Sequence, residues 1–270
     1  MQNVTLSDGT VIRPLETHEE RVEAVRLEEE TWGSGFSEKV PAAILLVAER
    51  IGGVAAGAFR PDGGMSGFVF GLTGTQNGAL VHWSDILTVR GDAQGRGIGR
   101  ALKQYQRDRC RAIGVTRMLW TFDPFVARNA HLNLNILGAR VAEFVPDMYG
   151  TTTNSPMHGP LGTDRFIVEW ILDEPAVPST PGRSMLTGAV LVGGSPNDAP
   201  GESAPLPDAA TAEVRIPRDF ATLLAGDVAF ARAWRLSARR AFTQYLARGY
   251  RVTAFVPGQH DHASYLLSAP

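Results

Sequence analysis

Along the first 172 residues, short extended apolar runs alternate with longer segments whose apolar residues recur at three- and four-residue spacing. That alternation reads as strands interleaved with helices, an α/β domain. Residues 11–15 form the first predicted strand. Thr17 followed by Glu20 is a capping-box start, and Val22, Val25 and Trp32 continue at helical spacing. Residues 44–50 and 54–59, joined at Gly52 and Gly53, read as a hairpin, and 67–72 with 81–89 add two strands. A glycine-rich turn then opens a helix with Ile98, Ala101, Leu102, Tyr105, Ala112 and Ile113 on one face, stopped by Gly114. Residues 118–122 are a strand, 129–137 a helix ended by Gly138, and 141–145 with 165–172 complete the sheet.

From 174 to 210 the pattern dissolves into interleaved prolines and glycines that cannot keep a helix, although 185–192 is apolar enough for a docked strand. Beyond it come a strand at 213–216, a long helix broken near Gly226, and strands at 250–256 and 264–267. Asp219 and Asp227 read as caps and Gly249 as a stop. Phe230, Trp234, Ala241 and Tyr245 make an apolar stripe, with Arg232, Arg235 and Arg239 opposite it as a solvated face or a carboxylate-binding one. The expected organisation is an α/β domain at 1–173, a linker at 174–210 and a small α/β extension at 211–270. An extension of this size is marginal alone and should dock on the core or on a second subunit in a homodimer.

Composition narrows the function. A net charge of −2 and pI near 6.3 offer no polybasic footprint, so nucleic acid is an unfavoured partner. No apolar run approaches the roughly 20 residues that span a bilayer, and no membrane association is expected. The single cysteine, Cys110, rules out an internal disulfide and any cysteine-cluster metal site, so no metal is expected. With no basic-then-apolar leader at the start, the reading is cytoplasmic.

The chemistry concentrates at Gln94-Gly95-Arg96-Gly97-Ile98-Gly99-Arg100, where a strand runs through glycines into an amphipathic helix. Backbone without Cβ atoms, first-turn N–H groups and the helix dipole together suit a phosphate or pyrophosphate. A P-loop would need a lysine and a hydroxyl residue where Arg100 and Ala101 stand. A dinucleotide fingerprint would need its third glycine at Arg100, and only Asp123, at the end of the next strand, speaks for that alternative.

The Q-x-x-G-x-G run, the strand ending Leu87-Thr88-Val89, the helix that follows and RNAHLNLNILGA at 128–139 resemble the GNAT superfamily of N-acyltransferases. The resemblance implies a mixed, mostly antiparallel sheet, splayed and flanked by helices, and acetyl-CoA or another acyl-CoA as co-substrate. It implies that the backbone of Leu87, Thr88 and Val89 pairs with the pantetheine arm. Gln94, Gly95, Arg96, Gly97, Ile98, Gly99 and Arg100 would surround the pyrophosphate, and Asn129 would bond the arm's amide or cap its helix. Aminolysis of a thioester needs a deprotonated amine and a proton for the departing thiolate. A period of two puts Asp85 on one face with Trp83, Leu87 and Val89, where burial suits it as a base; His82 and Ser84 face the other way and read as structural. Relatives carry a tyrosine at the position of Leu134, so Tyr149 and His131 are the remaining candidates for the acid. The glycine-flexed segment 32–37 is the candidate wall for a small amine acceptor, an amino acid or derivative. N-acetyl transfer, with N-succinyl transfer as a variant, is the implied reaction, and a non-catalytic acyl-CoA-binding module is the alternative.

Overall fold

The computed structural model describes residues 3–150, 161–174, 181–193, 206–258 and 261–270. The rest of the expected linker, 175–180 and 194–205, lies outside them. In chain order come β1 (Val4–Thr5), β2 (Val11–Pro14), α1 (His18–Trp32), α2 (Ala42–Arg50), β3 (Val54–Phe59), β4 (Met65–Gln76), β5 (Ala79–Val89), α3 (Ile98–Arg111) and β6 (Arg117–Phe122). There follow α4 (Ala127–Ala130), β7 (Arg140–Val145), β8 (Arg165–Ile171), β9 (Val190–Gly193), β10 (Thr211–Pro217), α5 (Phe220–Gly226), α6 (Val228–Ala247), β11 (Arg251–Val256) and β12 (His262–Ser268). One eight-stranded sheet has the order β1-β2-β3-β4-β5-β6-β8-β7, and a four-stranded one the order β11-β12-β10-β9. Packing divides the chain into two compact units at Trp120 and again within β8.

In the first unit β1 to β5 are successive antiparallel neighbours, and β6 joins β5 in parallel. Helix α1 starts where its capping box predicts: Thr17 Oγ1 accepts from Glu20 N at 3.2 Å and Glu20 Oε2 from Thr17 N at 3.3 Å. Leu27, Leu45, Phe68, Phe70 and Ile86 close one core between α1, α2 and a sheet face, each burial stabilising by roughly 1.5–3 kcal/mol. Helix α3 packs on β3, β4 and β5.

The hairpin expected from 44–50 is instead helix α2. Its apolar residues obey helical spacing: Leu45 and Ala48 are buried, whereas Ile44 and Val47 are 44% and 51% exposed. Gly53 is not a hairpin turn either. A Cβ there would lie 2.7 Å from Gly71 O and 2.8 Å from Ala48 O, so the glycine answers a close approach of backbones.

In the second unit β7 and β8 pair antiparallel, and the 211–270 segment packs against them through aromatic rings. Phe242 of α6 lies 5.4 Å from Phe144 and 4.7 Å from Phe166, and Tyr265 of β12 lies 5.4 Å from Phe166. The predicted strand within 185–192 appears as β9, parallel to β10. Asp219 and Asp227 cap α5 and α6 as expected. The stripe on α6 differs from the prediction. Of the predicted residues Ala241 and Tyr245 are buried, but Trp234 is half-buried and Phe230 is 38% exposed, and Ala231, Arg235, Ala238 and Phe242 complete the buried line. Arg235 turns inward because Asp123 Oδ2 lies 2.8 Å from its Nη2. Arg239 bonds both oxygens of Asp147 at 2.8 Å and Asp164 Oδ2 at 2.9 Å. The carboxylates these arginines meet therefore belong to their own chain. Burial opposes ionisation of Asp123, but Arg235 and Arg165 outweigh it and hold its pKa below the usual range. That carboxylate is committed internally, which removes the argument for a ribose-binding acid.

Candidate active site

Strand β5 carries a bulge at its centre. Phe70 opposes Ile86 and Gly71 opposes Ser84, leaving Asp85 as the extra residue. Alternation therefore reverses at Asp85, contrary to the uniform period of two. His82 and Ser84 face α3, while Ile86 joins the core beneath α1 and Thr88 Oγ1 meets Thr31 Oγ1 at 2.6 Å. Leu87 and Val89 turn toward Gly99 at the start of α3. They do not share a face with Trp83.

Two opposed demands enforce the bulge. On the α3 side Lys103 Nζ donates to Ser84 Oγ at 2.7 Å and Ser84 Oγ to Gln106 Oε1 at 2.8 Å. The Gln106 amide must then present Nε2 to His82 Nε2, 3.0 Å away, so His82 carries its proton on Nδ1, which faces Thr73 Oγ1 at 2.9 Å. Thr73 passes the chain to Gly52 O at 2.7 Å. Burial, with the charge of Lys103, lowers the His82 pKa to about 3 and keeps the ring neutral. Burial likewise lowers Lys103 to about 7, and its ammonium lies 4.0 Å from the Trp120 ring. A regular strand would put Ile86 among these polar groups, or the Ser84 hydroxyl in the apolar core, and either leaves a buried polar group unpaired.

Asp85 keeps a solvent-facing side, yet the protein crowding it raises its pKa, against the lowering effect of a Trp83 hydrogen bond. Behind it lies a residue that the sequence pattern does not single out. Glu28 of α1 is wholly buried, accepts from Val40 N at 2.8 Å through Oε2, and leaves Oε1 without a partner. Burial, helped by the charge of Asp85, raises its pKa to about 8. In the sequence it sits within Glu28-Glu29-Glu30, a run that looks like a solvated face; only its inward helical position distinguishes it. Its bond to Val40 also anchors the end of the loop after α1, where Trp32 and Phe36 stack at 5.4 Å.

Pairing of β5 with β6 comprises His82 with Met118 and Trp83 with Leu119. Among the described residues no strand pairs with the edge from Ser84 to Val89 on that side. The Gln94 side chain donates to Val89 O at 3.0 Å and folds the turn back on the strand end. Gly95 and Gly97 have φ of 78° and 81°, a region costly for residues with a Cβ. Gly97 is the N-cap of α3 and brings no side-chain acceptor, unlike Thr17, Asp219 and Asp227 on other helices. The first N–H groups of α3 therefore receive no acceptor from the N-cap side chain. Ile98 buries its side chain and contributes only backbone, while Arg96 and Arg100 are exposed. Arg100, Gly97, Gln104 and Asp108 line a groove of about 300 Å³.

The other candidates belong to the second unit. Asn129 is the third residue of α4, whose N-cap is Val126, so it is not a helix cap. The helix continues as a π-helical turn, His131–Ile136. His131 Nδ1 lies 3.1 Å from Asn135 Nδ2. The Tyr149 hydroxyl meets Thr121 Oγ1 at 3.1 Å, its main-chain N–H donates to Thr163 Oγ1 at 2.8 Å, and the Arg165 guanidinium lies 5.4 Å from its ring centre.

A mostly antiparallel sheet, a bulged strand parting from its parallel neighbour and a glycine turn opening a helix define the GNAT fold. Solved structures of that fold match the chain. A GNAT superfamily phosphinothricin acetyltransferase from Sinorhizobium meliloti, in complex with acetyl-CoA, is 15% identical with a TM-score of 0.50, covering 63% of this chain and 93% of its own. The ribosomal-protein-S18-alanine N-acetyltransferase from Escherichia coli is 18% identical, TM-score 0.46, over 62% and 96%. Arabidopsis thaliana Naa50 is 13% identical, TM-score 0.46, over 59% and 97%. No protein-family profile and no curated protein sequence matches the chain. Among the described residues no helix is long and apolar enough to cross a membrane.

Proposed function

We propose that this chain is an acyl-CoA-dependent N-acyltransferase acting on a small amine. The observation that carries the reading is the edge of β5 beyond Trp83, unpaired among the described residues, running into an uncapped glycine turn. A pantetheine arm carries amides that extend such an edge as a strand would, and its pyrophosphate suits the N–H groups of the turn and α3. The phosphinothricin acetyltransferase of like fold, solved with acetyl-CoA, supports the same choice. Gln94 to Arg100 would hold the pyrophosphate and Asn129 the arm. Asp85 is the proposed base, its raised pKa bringing it nearer the amine's working range. The amine nitrogen attacks the thioester carbon, the C–S bond breaks, and the proton released from nitrogen ends on sulfur. Tyr149 and His131 are the proposed groups that face the departing thiolate, to protonate it or to hydrogen-bond it. The extension at 211–270 is assigned to structural support rather than a second active site.

A free-thiol assay with a panel of amino acids and amines against acetyl-CoA and succinyl-CoA tests this. Thiol release requiring both substrates is expected, with Asp85→Asn reducing the rate about 100-fold or more and Tyr149→Phe reducing it less. Binding of acyl-CoA without thiol release from any amine would favour the non-catalytic module. Titration in which NAD binds and acyl-CoA does not would overturn the reading.

A further inference from the structure

We propose that Asn135 and the main-chain carbonyl of Phe255 lock His131 in the tautomer with its proton on Nε2, making it a hydrogen-bond donor rather than a proton donor. Asn135 Nδ2 lies 3.0 Å from Phe255 O and 3.1 Å from His131 Nδ1. A carbonyl oxygen only accepts, so the amide must turn its NH2 toward Phe255, which settles its orientation. One amide hydrogen goes to that carbonyl and the other points at His131. A proton on Nδ1 would set N–H against N–H. Nδ1 is therefore the acceptor, and the ring's proton belongs to Nε2.

The lock is rigid because Asn135 is 1% exposed and shielded from competing solvent. His131 and Asn135 both belong to the π-helical turn, which is bonded from Leu137 N to Leu132 O. Phe255 belongs to β11, 120 positions downstream, so the C-terminal segment sets the state of this histidine.

The role of the locked ring rests on the acyltransferase reading. With Nδ1 occupied by the Asn135 amide, the ring offers its Nε2–H as a hydrogen-bond donor to negative charge building on a thioester oxygen or sulfur. The amine's proton then passes to Asp85, and the thiolate takes its own from Tyr149 or water. Asn135 is a positioning residue in this scheme.

Histidine-selective 15N labelling of the full chain, read by long-range proton–nitrogen correlation, tests the lock directly. The wild-type protein should show His131 protonated at Nε2 alone, and Asn135→Asp, which makes the partner an acceptor, should move the proton to Nδ1. Wild-type protonation at Nδ1 overturns the lock even if the variant fails to fold, and so does an Asn135→Asp spectrum unchanged from wild type. In the thiol assay His131→Gln, which keeps an N–H donor, should retain far more activity than His131→Leu, which should fall about 100-fold; equal rates overturn the donor role. Absence of acyl transfer by the wild-type chain would instead overturn the acyltransferase reading, with the tautomer still read by resonance.

Discussion

Glu28 shows how position overrules residue type. Its pKa is raised from 4.5 to about 8, so between those values the folded chain holds a proton that the unfolded chain has released. Stability contributed by the neutral carboxyl is complete below pH 4.5 and is lost as pH rises toward 8, at about 1.4 kcal/mol per unit, on the order of 5 kcal/mol in all. Asp85 adds to the shift and Lys39 opposes it. Glu28→Gln keeps the bond from Val40 N and removes the titration. Denaturation by urea at pH 5 and pH 8 should therefore show the variant gaining stability over wild type at the higher pH only. Parallel behaviour at both values would mean that Glu28 is already ionised in the fold. The residue was illegible in the sequence because three consecutive glutamates give no sign of which one turns inward.

Among the elements, the glycine turn was legible and the bulge was not. Glycine spacing, a preceding strand and a following amphipathic helix are local, and the structure returns them where expected. The three glycines are nonetheless unequal. Gly97 needs its left-handed φ although a Cβ there would point into open space, whereas a Cβ at Gly99 would only touch Val89 Cγ2 at 3.7 Å. Gly97→Ala should cost about 1–2 kcal/mol and weaken acyl-CoA binding, and Gly99→Ala should leave stability near wild type; thermal melts with and without acetyl-CoA distinguish them. Equal losses would place the constraint in space rather than in φ. The face of Asp85 and the nature of α2 escape local pattern for related reasons. A bulge is set by the polar network on one side of β5 and the apolar core on the other, and the seven-residue apolar run of α2, Ala42 to Ala48, suits a strand as well as a helix until its burial is known.

At the scale of the molecule, the surplus length beyond the acyltransferase-like core shares a packing unit with β7 and most of β8. Its helix α6 enters that unit with a buried arginine, which is tolerable only because Asp123 faces it. Asp123→Ala should leave the Arg235 guanidinium buried and unpaired, a loss of about 3–5 kcal/mol. Removing both charges with Asp123→Leu and Arg235→Met should restore much of that, as read by denaturant unfolding of the single and double variants. A double variant no more stable than Asp123→Ala would show that the ion pair does not hold this unit together.

The sequence by itself determined what depends on neighbours a few residues apart: the capping box of α1, the aspartate caps of α5 and α6, the helix-stopping glycines and the anion-ready turn before α3. Those features are short-range hydrogen bonds and φ preferences, written where they act. Tertiary structure alone decided which glutamate is buried, where β5 reverses its faces, which side of α6 turns inward and which proton His131 keeps. Each of these is an answer to a partner far along the chain, from Gln106 for the bulge to Phe255 for the histidine, and no local pattern encodes where that partner will be.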